Sequence, residues 1–193
     1  SQEGFYIYTH KRVSIIVRLN TAGHRVREVW RSTRHDSMGI ILSTGPETIF
    51  LATTYIPPNV DRMTEQKRMT KVTNAHLELN ALALSHDHSM IHLDANETIT
   101  PFGRSASGYL DGIRWLAARG SRRTTTMACY NVNMGDTHAT VNPLMYHNGE
   151  PTQAAFTHTQ PGSKSSVSWA KLDFVWTSHK LMSAVKLCDL LDT

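Results

Sequence analysis

The chain has 193 residues, 40% of them hydrophobic and 19% charged, with a formal net charge of +4. That size and composition fit one globular domain spanning 1–193, and they exclude a disordered, collagen-like or disulfide-rich chain. No run approaches the ~18 consecutive apolar residues of a membrane helix, and the first residues carry no leader-like pattern, so a soluble chain with no membrane partner is expected.

From Phe5 to Ile56 the text reads as strands: Phe5–Tyr8, Val13–Leu19, Val26–Arg31, Met38–Leu42 and Thr48–Tyr55. They are rich in β-branched and aromatic residues, and turn signals stand at Thr21-Ala22-Gly23 and Ser43-Thr44-Gly45-Pro46, so this third is expected to be antiparallel sheet. Residues 1–35 carry seven Lys/Arg against Glu3 and Glu28, a net +5 that leaves the remainder at −1. Such a segment favours a polyanion through phosphate contacts and counterion release, with Lys11, Arg12, Arg25 and Arg27 as candidate nucleic-acid-binding residues. The plainer reading is a solvated hairpin.

Pro57-Pro58-Asn59 cannot continue a central strand, and Met63–Leu84 turns helical, with Val72, Ala75, Leu79 and Leu82 on one stripe. Ser89–Leu93 is a short apolar strand ending in Asp94-Ala95-Asn96-Glu97. Before it, His86 and His88 flank Asp87 in a polar turn without a third metal ligand, which reads as solvated turn residues. A second helix fits Gly108–Arg119, with Gly120 as its stop, and Ser121–Ser168 reads as mostly irregular. Ala170–Trp176 is a further strand, and a last helix is expected from His179 to Leu191, with Leu181, Ala184, Val185, Cys188 and Leu191 inward. Strands and helices in this order imply an α/β or α+β sandwich without a linker. Cys129 and Cys188 lie far apart and form no CxxC pair, so neither a disulfide scaffold nor a zinc ribbon is indicated.

Three segments, in order, resemble one family. Thr54-Tyr55-Ile56-Pro57-Pro58 resembles the Y-x-P-P strand end of endonuclease/exonuclease/phosphatase domains, including those of non-LTR retrotransposons. Ile91-His92-Leu93-Asp94-Ala95-Asn96 resembles the strand followed by G-D-x-N, with Leu93 in place of the glycine. Phe156-Thr157-His158 and then Ser168-Trp169-Ala170-Lys171-Leu172-Asp173-Phe174-Val175 resemble a Y-T…S-x-x-x-D-Y/F-V/I segment, with Lys171-Leu172-Asp173 where the family has R-I-D. Met134-Gly135-Asp136-Thr137 and Asn142-Pro143 resemble the linking section of retrotransposon members.

The resemblance implies a four-layer α/β sandwich: two mainly antiparallel sheets packed face to face, with helices outside. It implies magnesium as cofactor, DNA as partner with RNA as the alternative, and Tyr55, Asp94, Asn96 and Asp173 as catalytic residues. The chemistry suits them. Phosphodiester hydrolysis needs an oriented water and neutralised phosphoryl charge. Asp94 can orient or deprotonate the water, and Asn96, two residues on and so on the same side of an extended segment, can donate to a phosphate oxygen. Tyr55 can give a phenolic hydrogen bond to the phosphate or the leaving group. Asp173 stands in an otherwise apolar strand, where a lone carboxylate is costly unless paired; in the family it orients a histidine. The plain alternatives are a core-edge tyrosine at Tyr55 and an Asx-turn at Asp94-Ala95-Asn96.

The family's metal glutamate, first asparagine and final histidine have no clear counterpart here. Gln2-Glu3 has the right letters at the wrong spacing, and His179 lies too close to Asp173. The expectation is therefore a domain incomplete at both ends and inactive alone, because residues acting as one unit are not additive. Two readings stay open: a magnesium-dependent endonuclease domain of a retroelement, or a nucleic-acid-binding or structural module that keeps the fold inside a larger complex, with another chain covering its sheets. A phosphatase acting on inositol lipids or sphingomyelin ranks below both. A soluble, intracellular setting, nucleus or organelle, goes with either of the first two.

Overall fold

The computed structural model describes residues 4–18, 25–57, 65–95, 104–106, 126–147, 150–151, 158–161, 167–170, 173–186 and 188. The first third forms the five expected strands: β1 (Phe5–His10), β2 (Val13–Arg18), β3 (Arg25–Arg31), β4 (Asp36–Thr44) and β5 (Glu47–Tyr55). β1 and β2 make a two-stranded antiparallel hairpin, while β3, β4 and β5 pair antiparallel in a larger sheet. Gly45 turns β4 into β5 with φ 77, a left-handed conformation that glycine adopts without a Cβ penalty.

β5 ends at Tyr55. Helix α1 (Glu65–Leu84) carries the chain back, so that β6 (His88–Asp94) lies parallel to β5. Parallel neighbours need such a crossover, because a tight turn can only reverse the chain. The helix buries Val72, Ala75, His76, Leu79 and Ala83, a 3.6-residue stripe close to the predicted one, with Leu82 at its partly buried margin.

Beyond β6 come β7 (Arg104–Ala106), a 3-10 helix (Thr126–Val132), β8 (Met134–Asp136), α2 (Thr137–Val141) and a 3-10 turn (Pro143–Met145). The strands β9 (Tyr146–His147), β10 (Glu150–Pro151), β11 (His158–Pro161), β12 (Val167–Ala170) and β13 (Asp173–Ser178) follow, with α3 (His179–Met182) after them. The large sheet has the order β3-β4-β5-β6-β13-β8, and β11-β12-β7 form a separate three-stranded sheet. The expected class holds: an α/β sandwich of mainly antiparallel sheets with helix outside.

Alternation along the central strands gives the large sheet two different faces. Phe50, Ala52, Ile91, Leu93, Phe174 and Trp176 point to one face and form a single core with Leu79 and Ala83 of α1 and with Tyr130. Gly39 belongs there too, since a Cβ at that position would lie 2.4 Å from the Phe50 ring. Met38, Ile40 and Leu42 point the other way and are buried as well, and the β1–β2 hairpin packs against β4 and β5.

Three expectations need revision. The strand expected at Ala170–Trp176 is two strands in different sheets, β12 pairing with β7 and β13 with β6. An apolar run reports burial and not which sheet supplies the partner. The last helix is a single turn, His179–Met182, and Ala184 and Val185 continue as turn and irregular backbone. Within Ser121–Ser168 the described residues include short but regular elements: α2, for example, is capped by Asp136, whose carboxylate accepts from the backbone N–H groups of His138 and Ala139. The helix expected at Gly108–Arg119 lies outside the described residues.

Candidate active site

Strand register builds the site. Tyr55 is the partner of Asp94 across β5 and β6, and Asp94 is the partner of Asp173 across β6 and β13. On the other side Tyr55 pairs with Asp36 of β4. Four residues from four consecutive strands therefore form one row, Asp36-Tyr55-Asp94-Asp173, at the end of the sheet where β5 and β6 finish. Neighbouring strands lie about 4.8 Å apart, so Tyr55 and Asp173 are separated by roughly 10 Å.

The row lies on the face opposite α1. Thr54, Leu93 and Phe174, the immediate neighbours of Tyr55, Asp94 and Asp173, are buried toward the helix, which turns the row itself away from it. All four row residues are half-buried, and the Asp94 carbonyl accepts from the Ile56 N–H at 2.8 Å, extending the parallel ladder by one bond. Asn96 lies outside the described residues, and so does Glu3.

The β1–β2 turn delivers the positive charge. Arg12 Nε donates to the Asp36 carboxylate, and its guanidinium sits 4.3 Å from the centre of the Tyr55 ring, a cation–π contact. Lys11 adopts φ 51, donates from Nζ to the His35 carbonyl at 2.9 Å, and lies 3.9 Å from Asp36. His10 reaches the Ser32 carbonyl at 2.7 Å, and Arg31 Nε donates to the Thr9 carbonyl, so the turn is fixed to the segment between β3 and β4. Two of the four predicted nucleic-acid contacts are thus brought beside the row.

Arg25 and Arg27 are not. Arg25 pairs with Ser43, seven residues along β4 from Asp36, a separation of roughly 23 Å at ~3.3 Å per residue. Arg27 falls at the register shift between Val26 and Glu28 and is exposed on the edge strand.

Sequence reasoning passed over two residues. Asp36 precedes the expected Met38–Leu42 strand and opens the observed β4, where its carboxylate anchors Arg12. His92 is exposed, in register with Thr53 and Val175, and two residues before Asp94 on the same strand. Period-two alternation puts it on the face of the row.

Behind the row, on the helix side, a polar group is buried. Ser37 and Thr54 hydroxyls lie 2.6 Å apart, and Ser32 Oγ donates to Glu78 of α1 at 3.0 Å. His76 is fully buried and 3.0 Å from the Tyr130 hydroxyl through Nδ1, while Nε2 has no hydrogen-bond partner. Burial, with a smaller contribution from His35, pushes the His76 pKa down to about 4, so the ring is neutral at pH 7. Burial also lowers the pKa of His35, against the opposing pull of Glu78.

Metal binding can be tested against the donor set. Magnesium takes oxygen ligands and commonly binds through one or two carboxylates, with water and substrate phosphate completing its shell. Asp94 and Asp173, adjacent in register, are the residues that would hold it. No cluster of three or more His, Cys, Asp or Glu side chains with metal-ligand spacing occurs among the described residues.

The α/β sandwich is a fold that this chain shares with solved structures of low sequence identity. Among solved structures the chain is similar to TDP2 from Caenorhabditis elegans, with a TM-score of 0.51 and 14% identity over 90% of this chain and 48% of that one. A truncated form of the same protein matches with a TM-score of 0.51 and 12% identity, over 90% of this chain and 61% of that one. The endonuclease domain of TRAS1, a telomere-specific non-LTR retrotransposon, matches with a TM-score of 0.49 and 9% identity, over 93% of this chain and 69% of that one. At these identities the likeness is one of fold, and the chain spans about half the length of the C. elegans TDP2 it resembles. No family model and no curated protein matches it by sequence.

Proposed function

We propose that the chain is an endonuclease-like phosphodiesterase domain, descended from a DNA-nicking retroelement endonuclease and inactive by itself, whose Tyr55-Asp94-Asp173 row faces a DNA phosphodiester. The observation that carries this reading is the register: three residues far apart in sequence, singled out by the family resemblance, fall opposite one another on adjacent strands.

Each has a part. Asp94 orients the attacking water, Tyr55 gives a phenolic hydrogen bond to a phosphate or leaving-group oxygen, and Asp173 sets a second carboxylate beside Asp94. Arg12, on the Tyr55 ring, holds that ring in place and adds positive potential where a phosphate arrives. Magnesium, when bound at the two carboxylates, would neutralise charge on the phosphoryl oxygens.

A second reading is a nucleic-acid-binding module that keeps the fold without cutting. It draws on the hairpin turn, which sets Lys11 and Arg12 beside the row. The test is magnesium-dependent nicking of supercoiled plasmid by the purified chain, beside Asp94→Asn and a chelator control. Nicking lost in both controls supports the enzyme and overturns its inactivity by itself. DNA retention that weakens steeply with salt, without nicking, supports the binding module. Neither nicking nor retention sinks both readings.

A further inference from the structure

A cleft of about 570 Å³ opens at the opposite end of the large sheet from the carboxylate row. It lies where the C-terminus of α1, the start of β6, the end of the Thr126–Val132 helix and the junction of β13 with α3 meet, and it shares no residue with the row. Its volume falls within the ~300–1,000 Å³ of small-molecule sites.

Two features of its lining point to a ligand. Ser89 is 1% exposed and its Oγ has no hydrogen-bond partner, and the buried Oδ1 of Asn133 also has none. Buried polar atoms are nearly always partnered, so two orphans in one cleft wall call for explanation. The second feature is the distribution of chemistry around the opening. His179 and Lys180 are exposed on one side, the Asp87 carboxylate stands on another, and Leu84 and Val132 leave 58% and 81% of their surface open beside them.

We propose that this cleft binds a phosphomonoester of mononucleotide size. The phosphate is held by the Lys180 ammonium, with the His179 ring beside it as a further hydrogen-bond donor. Asp87 is an acceptor for sugar hydroxyls, and Leu84 with Val132 offers an apolar surface for a flat base. The ligand gives Ser89 and Asn133 the partners they lack once both side chains turn toward the opening.

Titration calorimetry on the whole chain tests this with three probes: AMP, adenosine and inorganic phosphate. AMP is expected to bind, with adenosine weaker by about tenfold or more and inorganic phosphate weaker again. Lys180→Ala is expected to weaken AMP by about fivefold and Ser89→Ala by about threefold. No binding of AMP at millimolar concentration overturns the proposal, and so does equal affinity for AMP and adenosine, or AMP binding unaffected by Lys180→Ala. Lys180 is exposed, so that variant decides the matter even where the buried Ser89→Ala does not fold. No step of the test requires cleavage, so its outcome is independent of the nuclease reading.

Discussion

The two faces of the six-stranded sheet use the same strands for different ends. On one face, Phe50, Ile91, Leu93, Phe174 and Trp176 close against α1 and Tyr130 with almost no exposed surface. On the other, one residue away along each strand, Tyr55, Asp94 and Asp173 remain half-buried and His92 is exposed. A pleated strand cannot place neighbouring residues on one side, so a residue that anchors the core also aims its neighbour at the site. Along β5, β6 and β13 the core and the candidate site are therefore interleaved in sequence and separated in space, while Met38, Ile40 and Leu42 of β4 bury a second apolar group on the row's own face.

That separation can be broken from the core side first. Phe50→Ala is expected to cost about 3–5 kcal/mol in chemical denaturation, as a buried aromatic loses its contacts and leaves a cavity. Gly39→Ala acts on the same ring from the opposite direction: the new methyl overlaps Phe50, and overpacking of this kind costs about 1–3 kcal/mol. A Gly39→Ala protein of unchanged stability would mean that the Phe50 ring is free to move.

Acid tests the helix-facing side without any mutation. His76 is neutral when folded, with its pKa pushed down to about 4 from 6.5, so the unfolded chain binds the extra proton between those values. Stability is expected to be fully present above pH 6.5 and to fall toward pH 4, by on the order of 3 kcal/mol. His35 shifts in the same direction. His76→Leu should flatten the slope; an unchanged slope would assign it to other groups.

The open face should respond differently. Asp94→Asn is expected to change stability by less than about 1 kcal/mol while removing any magnesium-dependent nicking, which would separate the two faces in one variant. Arg12→Ala is expected to lower the salt slope of DNA binding by about one, with Arg27→Ala changing it less because Arg27 stands at the far edge strand. Equal effects of the two arginines would count against a site centred on the row. The smallest expected effect is at the turn that sets the β4–β5 register: Gly45→Ala, at φ 77 with open space around it, should cost about 1 kcal/mol from backbone strain alone.

Much was legible in the chain itself. Strands in the first third follow from β-branched and aromatic runs, and α1 from the Val72, Ala75 and Leu79 spacing. The candidate residues came from motif resemblance and from chemistry: a tyrosine at one strand end, an aspartate at another, an acid in an apolar strand. Local rules suffice for these, because side-chain periodicity and turn chemistry act over a few residues.

What periodicity could not supply was pairing. That Asp94 lies between Tyr55 and Asp173, that the strand expected at Ala170–Trp176 divides between two sheets, and that Arg12 crosses to Asp36 and Tyr55 while Arg25 stands far off are all matters of register between distant segments. Register is decided when both faces of a sheet are filled at once, and a one-residue slip would turn every core residue here to the wrong side. The sequence by itself determined which residues can do the chemistry; only the tertiary structure decided which of them meet, because hydrogen-bonded pairing joins segments whose separation along the chain carries no record of it.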